Sequence, residues 1–228
     1  MTGEDPIDVP YCDEDLRLIA LLPHTLAVRF FQSVLEPVAS GAGLRLFSDN
    51  PVRYVHPELQ EERDYGPDIV LAGGSAGERT LAAHLRLVIE VVSTQDSRKE
   101  RKDTVFTPSL NLANDVPEFA LFFPDVWDSR SFELHVRDPN LRCYRPVAAD
   151  AQGRWESSSV PGLAFVLLPR TEWREGRKLD GYWRGQRVAD AEEARAELAR
   201  QRQSAEEHER RAEALAAKLR ALGIDPDA

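Results

Sequence analysis

The sequence predicts an α+β protein, a mixed and mainly antiparallel sheet with few flanking helices, followed by a long C-terminal coiled-coil helix. Three observations carry that expectation. Short period-two segments bounded by turn residues recur between Leu44 and Val147, as expected of strands exposed on one face. Two near-continuous apolar runs read as buried strands, Leu85–Val92 near the centre of a sheet and Phe119–Phe123 after it. After Asp190 the apolar spacing switches to alternating threes and fours without a break.

The elements follow in order. Residues 1–19 are acidic and Pro-containing and are expected to be poorly ordered. From His24 to Ala39, Leu26, Phe30, Phe31, Val34, Leu35 and Val38 lie on one helical face, and Ser40-Gly41-Ala42-Gly43 ends the helix. Pro37 falls in its last turn, where fraying or a kink is expected. Leu44–Phe47 and Val52–Val55 alternate as strands around the turn Asp49-Asn50-Pro51. Pro67–Ala72 is a short strand closed by Gly73-Gly74. The charged stretch from Asp96 to Asp103 reads as helical into Phe106, until Pro108 interferes. Phe132–Val136 and Leu141–Val147 form a hairpin around Asp138-Pro139-Asn140, and Leu163–Leu168 is the last apolar run. The main domain is therefore expected over residues 20–186, and the coiled-coil helix over 187–228. Its seam runs Ala191, Ala194, Leu198, Gln201, Ala205, His208, Ala212, Leu215, Leu219 and Leu222. Asp190 with Glu193 makes a capping box at its start, and Gly223 followed by Pro226 closes it.

Composition limits the function. Hydrophobic residues make up 42% of the chain, enough for a sizeable core, which excludes a disordered chain. The net charge of -10 argues against nucleic-acid binding through an overall positive field. The segment from residue 187 holds eight Lys/Arg against ten Asp/Glu, so the acidity belongs mostly to the main domain. A nuclease built on this chain must gather positive charge locally or through bound metal ions. Cys12 and Cys143 are too few and too far apart for a zinc site or a disulfide framework, and read as reduced thiols. The polar, acidic N-terminus lacks the pattern of a signal peptide, and no apolar run approaches the ~20 residues of a membrane helix. A cytoplasmic protein is expected.

The residues that point to chemistry are acidic. Glu90 is a lone carboxylate among Leu, Val and Ile in a strand that should be buried. Burying it costs several kcal/mol unless a metal or a cation is its partner. The alternatives are a buried Arg partner or a solvent-facing edge strand. Asp68 opens the strand Pro67-Asp68-Ile69-Val70, a position also common in turn chemistry. Two acids on adjacent strands suit Mg²⁺ or Mn²⁺, which take oxygen ligands, polarise a phosphoryl oxygen and lower the pKa of an attacking water. A cation to hold the phosphate would come from Arg98-Lys99-Glu100-Arg101-Lys102, just past the Glu90 strand, with Lys102 best placed to reach back. His56, His84 and His135 have no partner at helical i,i+4 spacing, and Ser93 follows no Gly-x-Ser-x-Gly turn. A zinc protease and a serine hydrolase are therefore disfavoured.

Pro67-Asp68-Ile-Val, then Val88-Ile-Glu90-Val-Val-Ser93, a charged segment with a Lys, and Val116-Pro117-Glu118-Phe119-Ala-Leu-Phe-Phe-Pro124 together resemble the Uma-two family of restriction-endonuclease-like proteins. The helix opening at His24 and the ending Ala-Lys-Leu-Arg-Ala-Leu-Gly223-Ile-Asp-Pro226 resemble the family's first core helix and its coiled-coil ending. The resemblance spans about residues 20 to 228. It implies the PD-(D/E)xK fold, with Asp68 and Glu90 as metal ligands and Mg²⁺ or Mn²⁺ as cofactor. The superfamily's usual Lys position, two after the Glu, is Val92 here. The family places its Lys on the following helix, which Lys102 fits best, with Lys99 as the alternative. The function implied is a divalent-metal-dependent DNA endonuclease with Asp68, Glu90 and Lys102 as its catalytic residues. The other expectation is a catalytically degenerate interaction platform. Either way the coiled coil is expected to join a second copy or a partner protein.

Overall fold

The computed structural model describes residues 22–74, 80–92 and 97–221. The expected N-terminal segment and the Gly223–Pro226 helix stop lie outside the described residues. The chain divides into two compact units, Met1–Val188 and Ala189–Ala228.

The first unit is α+β and is built on a six-stranded mixed sheet. Its strands are β1 (Arg45–Ser48), β4 (Ile69–Ala72), β5 (Leu85–Val91), β6 (Glu118–Phe122), β7 (Phe132–Asp138) and β8 (Cys143–Val147). They pair in the order β1-β4-β5-β6-β7-β8. Only β5 and β6 run parallel. β5 and β6 are the central pair and, apart from exposed Arg86, are buried on both faces, as parallel neighbours require. β1 does not form a hairpin with β2 (Val52–Val55); β2 pairs with β3 (Glu62–Tyr65) in a separate ribbon. β3, Glu-Arg-Asp-Tyr, has no apolar alternation of its own, and its pairing with β2 makes it a strand.

Strand alternation divides the core into two layers. On one face, Leu87, Ile89, Val91, Ala120 and Phe122 pack against α1 (Leu22–Ala42) and a four-stranded sheet. That second sheet, in the order β12-β11-β10-β9, comprises β9 (Arg154–Glu156), β10 (Leu163–Leu167), β11 (Leu179–Trp183) and β12 (Gln186–Val188). On the other face, Val88, Val92, Phe119, Leu121 and Phe123 pack with Val52, Tyr54, Tyr65 and Leu110.

Helix α1 runs one turn further than expected at its C-terminus and passes through Pro37 without a break, ending at Gly43 with φ +66°. It buries Phe30, Phe31, Val34, Leu35 and Val38, the expected stripe less Leu26, and Ala27 besides. Phe31 stacks edge-on against Phe122 and Phe165, which ties the helix to both sheets. Gly181 on β11 is the point of closest approach, since a Cβ there would lie 2.1 Å from Val34 Cγ1.

A second junction is polar. Glu118 begins β6, is fully buried, and faces the α1 layer. Its carboxylate accepts hydrogen bonds from Ser157 Oγ (2.5 Å), Ser158 N (2.5 Å), Ser158 Oγ (2.7 Å) and Ser159 Oγ (2.6 Å). Four donors from the β9–β10 loop thereby satisfy one buried charge and clamp the second sheet onto the first.

The charged stretch after β5 is helical well beyond Phe106. Helix α2 (Ser97–Arg101) leads through one wide π-type turn, Lys102–Phe106, into α3 (Thr107–Ala113). Pro108 sits in the first turn of α3, where its missing N–H costs little, so it starts a helix rather than ending one. The expected hairpin also shortens: Leu141 belongs to the turn, and β8 begins at Cys143.

The second unit is α4, Ala191–Ala221. The capping box is in place: Asp190 Oδ1 accepts from the amides of Glu192 (3.0 Å) and Glu193 (2.9 Å), and Glu193 Oε2 accepts from the Asp190 amide (3.3 Å). Residues 187 and 188 belong to β12 and not to the tail. Among the described residues, no helix is long and apolar enough to cross a membrane.

Gly181→Ala is expected to lower stability by about 1–3 kcal/mol, because the added methyl has no room against Val34. Chemical denaturation checks this, and Val34→Ala in the same chain should recover part of the loss.

Candidate functional site

Asp68 and Glu90 meet because β4 and β5 are antiparallel with Ile69 opposite Ile89. One residue outward from that pair, the two acids stand opposite each other on neighbouring strands. Glu90 shares its face with Val88 and Val92, which turns its carboxyl into the layer beneath α2 and α3. Asp68 is 3% exposed and Glu90 1%. The expectation of an acid inside an apolar strand is met without an Arg partner shown at Glu90.

Their hydrogen bonds interlock. The Asp68 amide donates to Glu90 Oε2 at 3.4 Å, and the Val91 amide donates to Asp68 Oδ2 at 2.7 Å. Asp68 Oδ1 is 3.1 Å from His24 Nε2, in the first turn of α1. Each carboxyl is therefore fixed by the main chain of the other's strand, and Asp68 is also fixed from the helix side.

The lysines come from one face of the next helical segment. Lys99, Lys102 and Asp103 fall at spacings of three and one, followed by Phe106, Thr107, Leu110 and Asn111. Lys99 and Lys102 are each 5% exposed and Asp103 is 0% exposed, so this face of the charged stretch is buried, not solvated. Lys102 Nζ is 3.8 Å from Asp103 Oδ1. Glu90 and Lys102 line one cavity of about 10 Å³ with Tyr54, Tyr65, Gly66, Pro67, Phe106, Thr107 and Leu110. That is space for about one water molecule. The Tyr54 hydroxyl donates to Asn111 Oδ1 at 2.9 Å, which ties β2 to α3 over the same cavity.

The two acids are driven in opposite directions. Burial would raise the Asp68 carboxyl, but the His24 hydrogen bond, the His24 charge and the Lys99 and Lys102 ammonium groups outweigh it and hold it well below the usual range. Burial pushes Glu90 well above the usual range, and the Asp68 and Asp103 carboxylates push the same way; Lys102 and the Asp68 amide offset only part of this. Burial, and then the Glu90 charge, also raise Tyr54. The site thus holds two neighbouring acids, one favoured as the carboxylate and the other as the neutral acid. Opposed pKa values in a close pair characterise acid–base sites and metal sites awaiting their ion.

The donor chemistry fits a hard divalent cation in part. Two carboxyl groups converge, and Glu90 carries a charge penalty that a cation would lift. Among the described residues, no group of three or more His, Cys, Asp and Glu side chains is arranged to hold a metal ion. Water and phosphate would have to complete the coordination shell, as is common for Mg²⁺.

Sequence reasoning named Asp68, Glu90 and Lys102, and the structure brings all three together, with Lys99 on the same side. It missed His24, Asp103 and Tyr54 as members. His24 carried a usable signal, a polar residue at the start of an otherwise apolar helical face. Glu118 lies within the Val116–Pro124 motif, and nothing in its spacing points to its Ser157–Ser159 partners. Against known proteins, no family model matches the chain, and no curated protein shows significant similarity to it.

Glu90→Gln and Asp68→Asn should move stability in opposite directions when divalent ions are chelated. Above about pH 4.5 the unfolded chain ionises Glu90 while the folded chain retains the proton, so the wild type loses stability as pH rises through that window. Glu90→Gln should therefore raise Tm at pH 8, with the gain fading toward pH 4. Asp68 contributes stability above its ordinary value of 3.8 that is lost as pH falls, so Asp68→Asn should lower Tm at pH 8 and matter less in acid. Thermal melts across pH 3–9 check both signs.

Proposed function

We propose that the chain is a divalent-metal-dependent nuclease of the restriction-endonuclease-like, PD-(D/E)xK kind, acting on DNA. The observation that carries this reading is the buried Asp68–Glu90 pair on adjacent strands, faced by Lys99 and Lys102 from the next helix. Its order along the chain also supports the resemblance to the Uma-two family: acid, acid, then a Lys on a following helix.

Asp68 and Glu90 would hold Mg²⁺ or Mn²⁺, and the ion would supply Lewis acidity and a water of lowered pKa. The chain's own groups do the rest. His24 fixes Asp68 Oδ1 and keeps its carboxylate aimed from β4 toward Glu90. The Val91 amide holds the second Asp68 oxygen, so the ligand geometry is set by main chain rather than by rotamer. Lys102 supplies positive charge beside Glu90, where a scissile phosphate needs it. That local charge answers the chain's net charge of -10, which disfavours tight non-specific DNA binding.

The enclosure of the pair favours a second reading. With Glu90 at 1% and Lys102 at 5% exposure around a cavity of about 10 Å³, the described residues leave no room for a phosphodiester. In that reading the carboxyl–lysine cluster is a structural remnant, and the fold is a platform for interactions made elsewhere on the chain.

Plasmid nicking with Mg²⁺ or Mn²⁺ separates the two. The nuclease reading predicts cleavage by the wild type that falls by at least about 100-fold in Glu90→Gln and about 10-fold or more in Lys102→Ala. Wild-type activity no greater than that of Glu90→Gln would overturn it. A Tm rise on adding Mn²⁺, absent in Asp68→Asn, is the matching binding measurement.

A further inference from the structure

We propose that α4 joins two copies of this chain as an antiparallel coiled coil in one particular register, with Ala205 of each copy packed against His208 of the other. This interaction does not depend on the nuclease reading. From Ala194 to Leu215 every residue of α4 is exposed, with Leu198 at 49% and Leu215 at 61%. The seam is sustained for more than four heptads, longer than a solvated single helix needs.

Layer size selects the orientation. In heptad terms Ala191, Leu198, Ala205 and Ala212 occupy a positions, and Ala194, Gln201, His208 and Leu215 occupy d positions. A parallel dimer stacks each residue on its own copy. Ala205 on Ala205 and Ala212 on Ala212 would then flank His208 on His208, alternating voids with crowding. An antiparallel dimer sets a against d. With Ala205 opposite His208, Gln201 meets Ala212 and Leu198 meets Leu215, each twice by symmetry. Small residues then face large polar ones across the centre, and the two leucines face each other at both ends.

Charge selects the register. The same alignment brings Glu197 beside Lys218 of the other copy and Arg202 beside Glu209, again each twice. The remaining flanking pairs, Arg195 with Ala216 and Ser204 with Arg211, repel nothing. Sliding one heptad one way keeps attractive pairs, Glu197 with Arg211 and Arg195 with Glu209, but it sets Arg202 against its own copy and trades the Leu198–Leu215 layers for Leu198 on His208. Sliding the other way opposes Glu209 to Glu209 and Arg211 to Arg211. Glu197 already accepts from Arg200 Nη2 (2.7 Å) and Gln201 Nε2 (3.1 Å) within its own helix, which holds it ionised and leaves an oxygen lone pair for Lys218.

Charge reversal on the full-length chain tests both features, read by sedimentation equilibrium. Glu197→Lys and Lys218→Glu each place like charges together twice and should weaken the dimer about tenfold. The double variant Glu197→Lys/Lys218→Glu should return to within about threefold of the wild type. A parallel coil pairs Glu197 with Arg202 instead, so there the second change rescues nothing, and that result overturns the proposal. A chain that stays monomeric at 100 µM, or that associates only with a different protein, overturns it as well. Spin labels at Ala196→Cys, with Cys12→Ser and Cys143→Ser, give an independent readout. The antiparallel register separates the two labels by about 30 Å along the axis, at 1.5 Å per residue, against about the width of the coil if parallel.

Discussion

Asp68 and Glu90 are held opposite each other by the antiparallel pairing of β4 with β5, and much of the first unit is arranged around the cost of that juxtaposition. Two carboxyl groups in a nearly dry site cannot both stay ionised without help. The fold answers with His24 from α1 on one side and with Lys99 and Lys102 from the following helix on the other. It also spends main-chain amides, from Asp68 and Val91, on the same two side chains. The help is unequal, so the Asp68 carboxyl is held well below the usual range while Glu90 is pushed well above it.

The wide turn at Lys102–Phe106 serves that arrangement. A π-type turn inserts an extra residue into the helical repeat and so re-aims the side chains on either side of it. Here it lets Lys99, Lys102 and Asp103 point into the acidic pair while Phe106 and Leu110 close the apolar layer behind them. Glu118 shows the contrasting solution for a buried acid. It faces the opposite layer, lacks a cation, and is satisfied by three serine hydroxyls and an amide. One acid is structural because its donors are complete. The other pair is a candidate for chemistry because its two carboxyls are driven in opposite directions.

Legibility followed locality. The α1 stripe, the central strands β5 and β6, the capping box and the seam of α4 are all written as short-range periodicity, and each is found where the spacing places it. Pro108 misled because a Pro has opposite meanings inside a helix and in its first turn, and residue type alone does not say which applies. β3, β9, β11 and β12 were missed because their strand character comes from a partner rather than from their own alternation. The separation of β1 from β2 was missed for a related reason: a turn sequence between two strands does not reveal that they join different sheets.

The sequence by itself determined the class of the fold, the long C-terminal helix and the identity of the acidic pair. A carboxylate among β-branched residues is conspicuous, because burial energetics can be judged from immediate neighbours. Only the tertiary structure decided what surrounds that pair. His24 lies 44 residues from Asp68, and Tyr54 lies 57 from Asn111, separations across which no local pattern carries information. The enclosure of the site was equally out of reach, since a run of Lys and Arg reads as a solvated face until the chain packs one side of it against a sheet. Asp68 and Glu90 could be named from the sequence, but the balance of charge that sets their protonation depends on distances that exist only after folding.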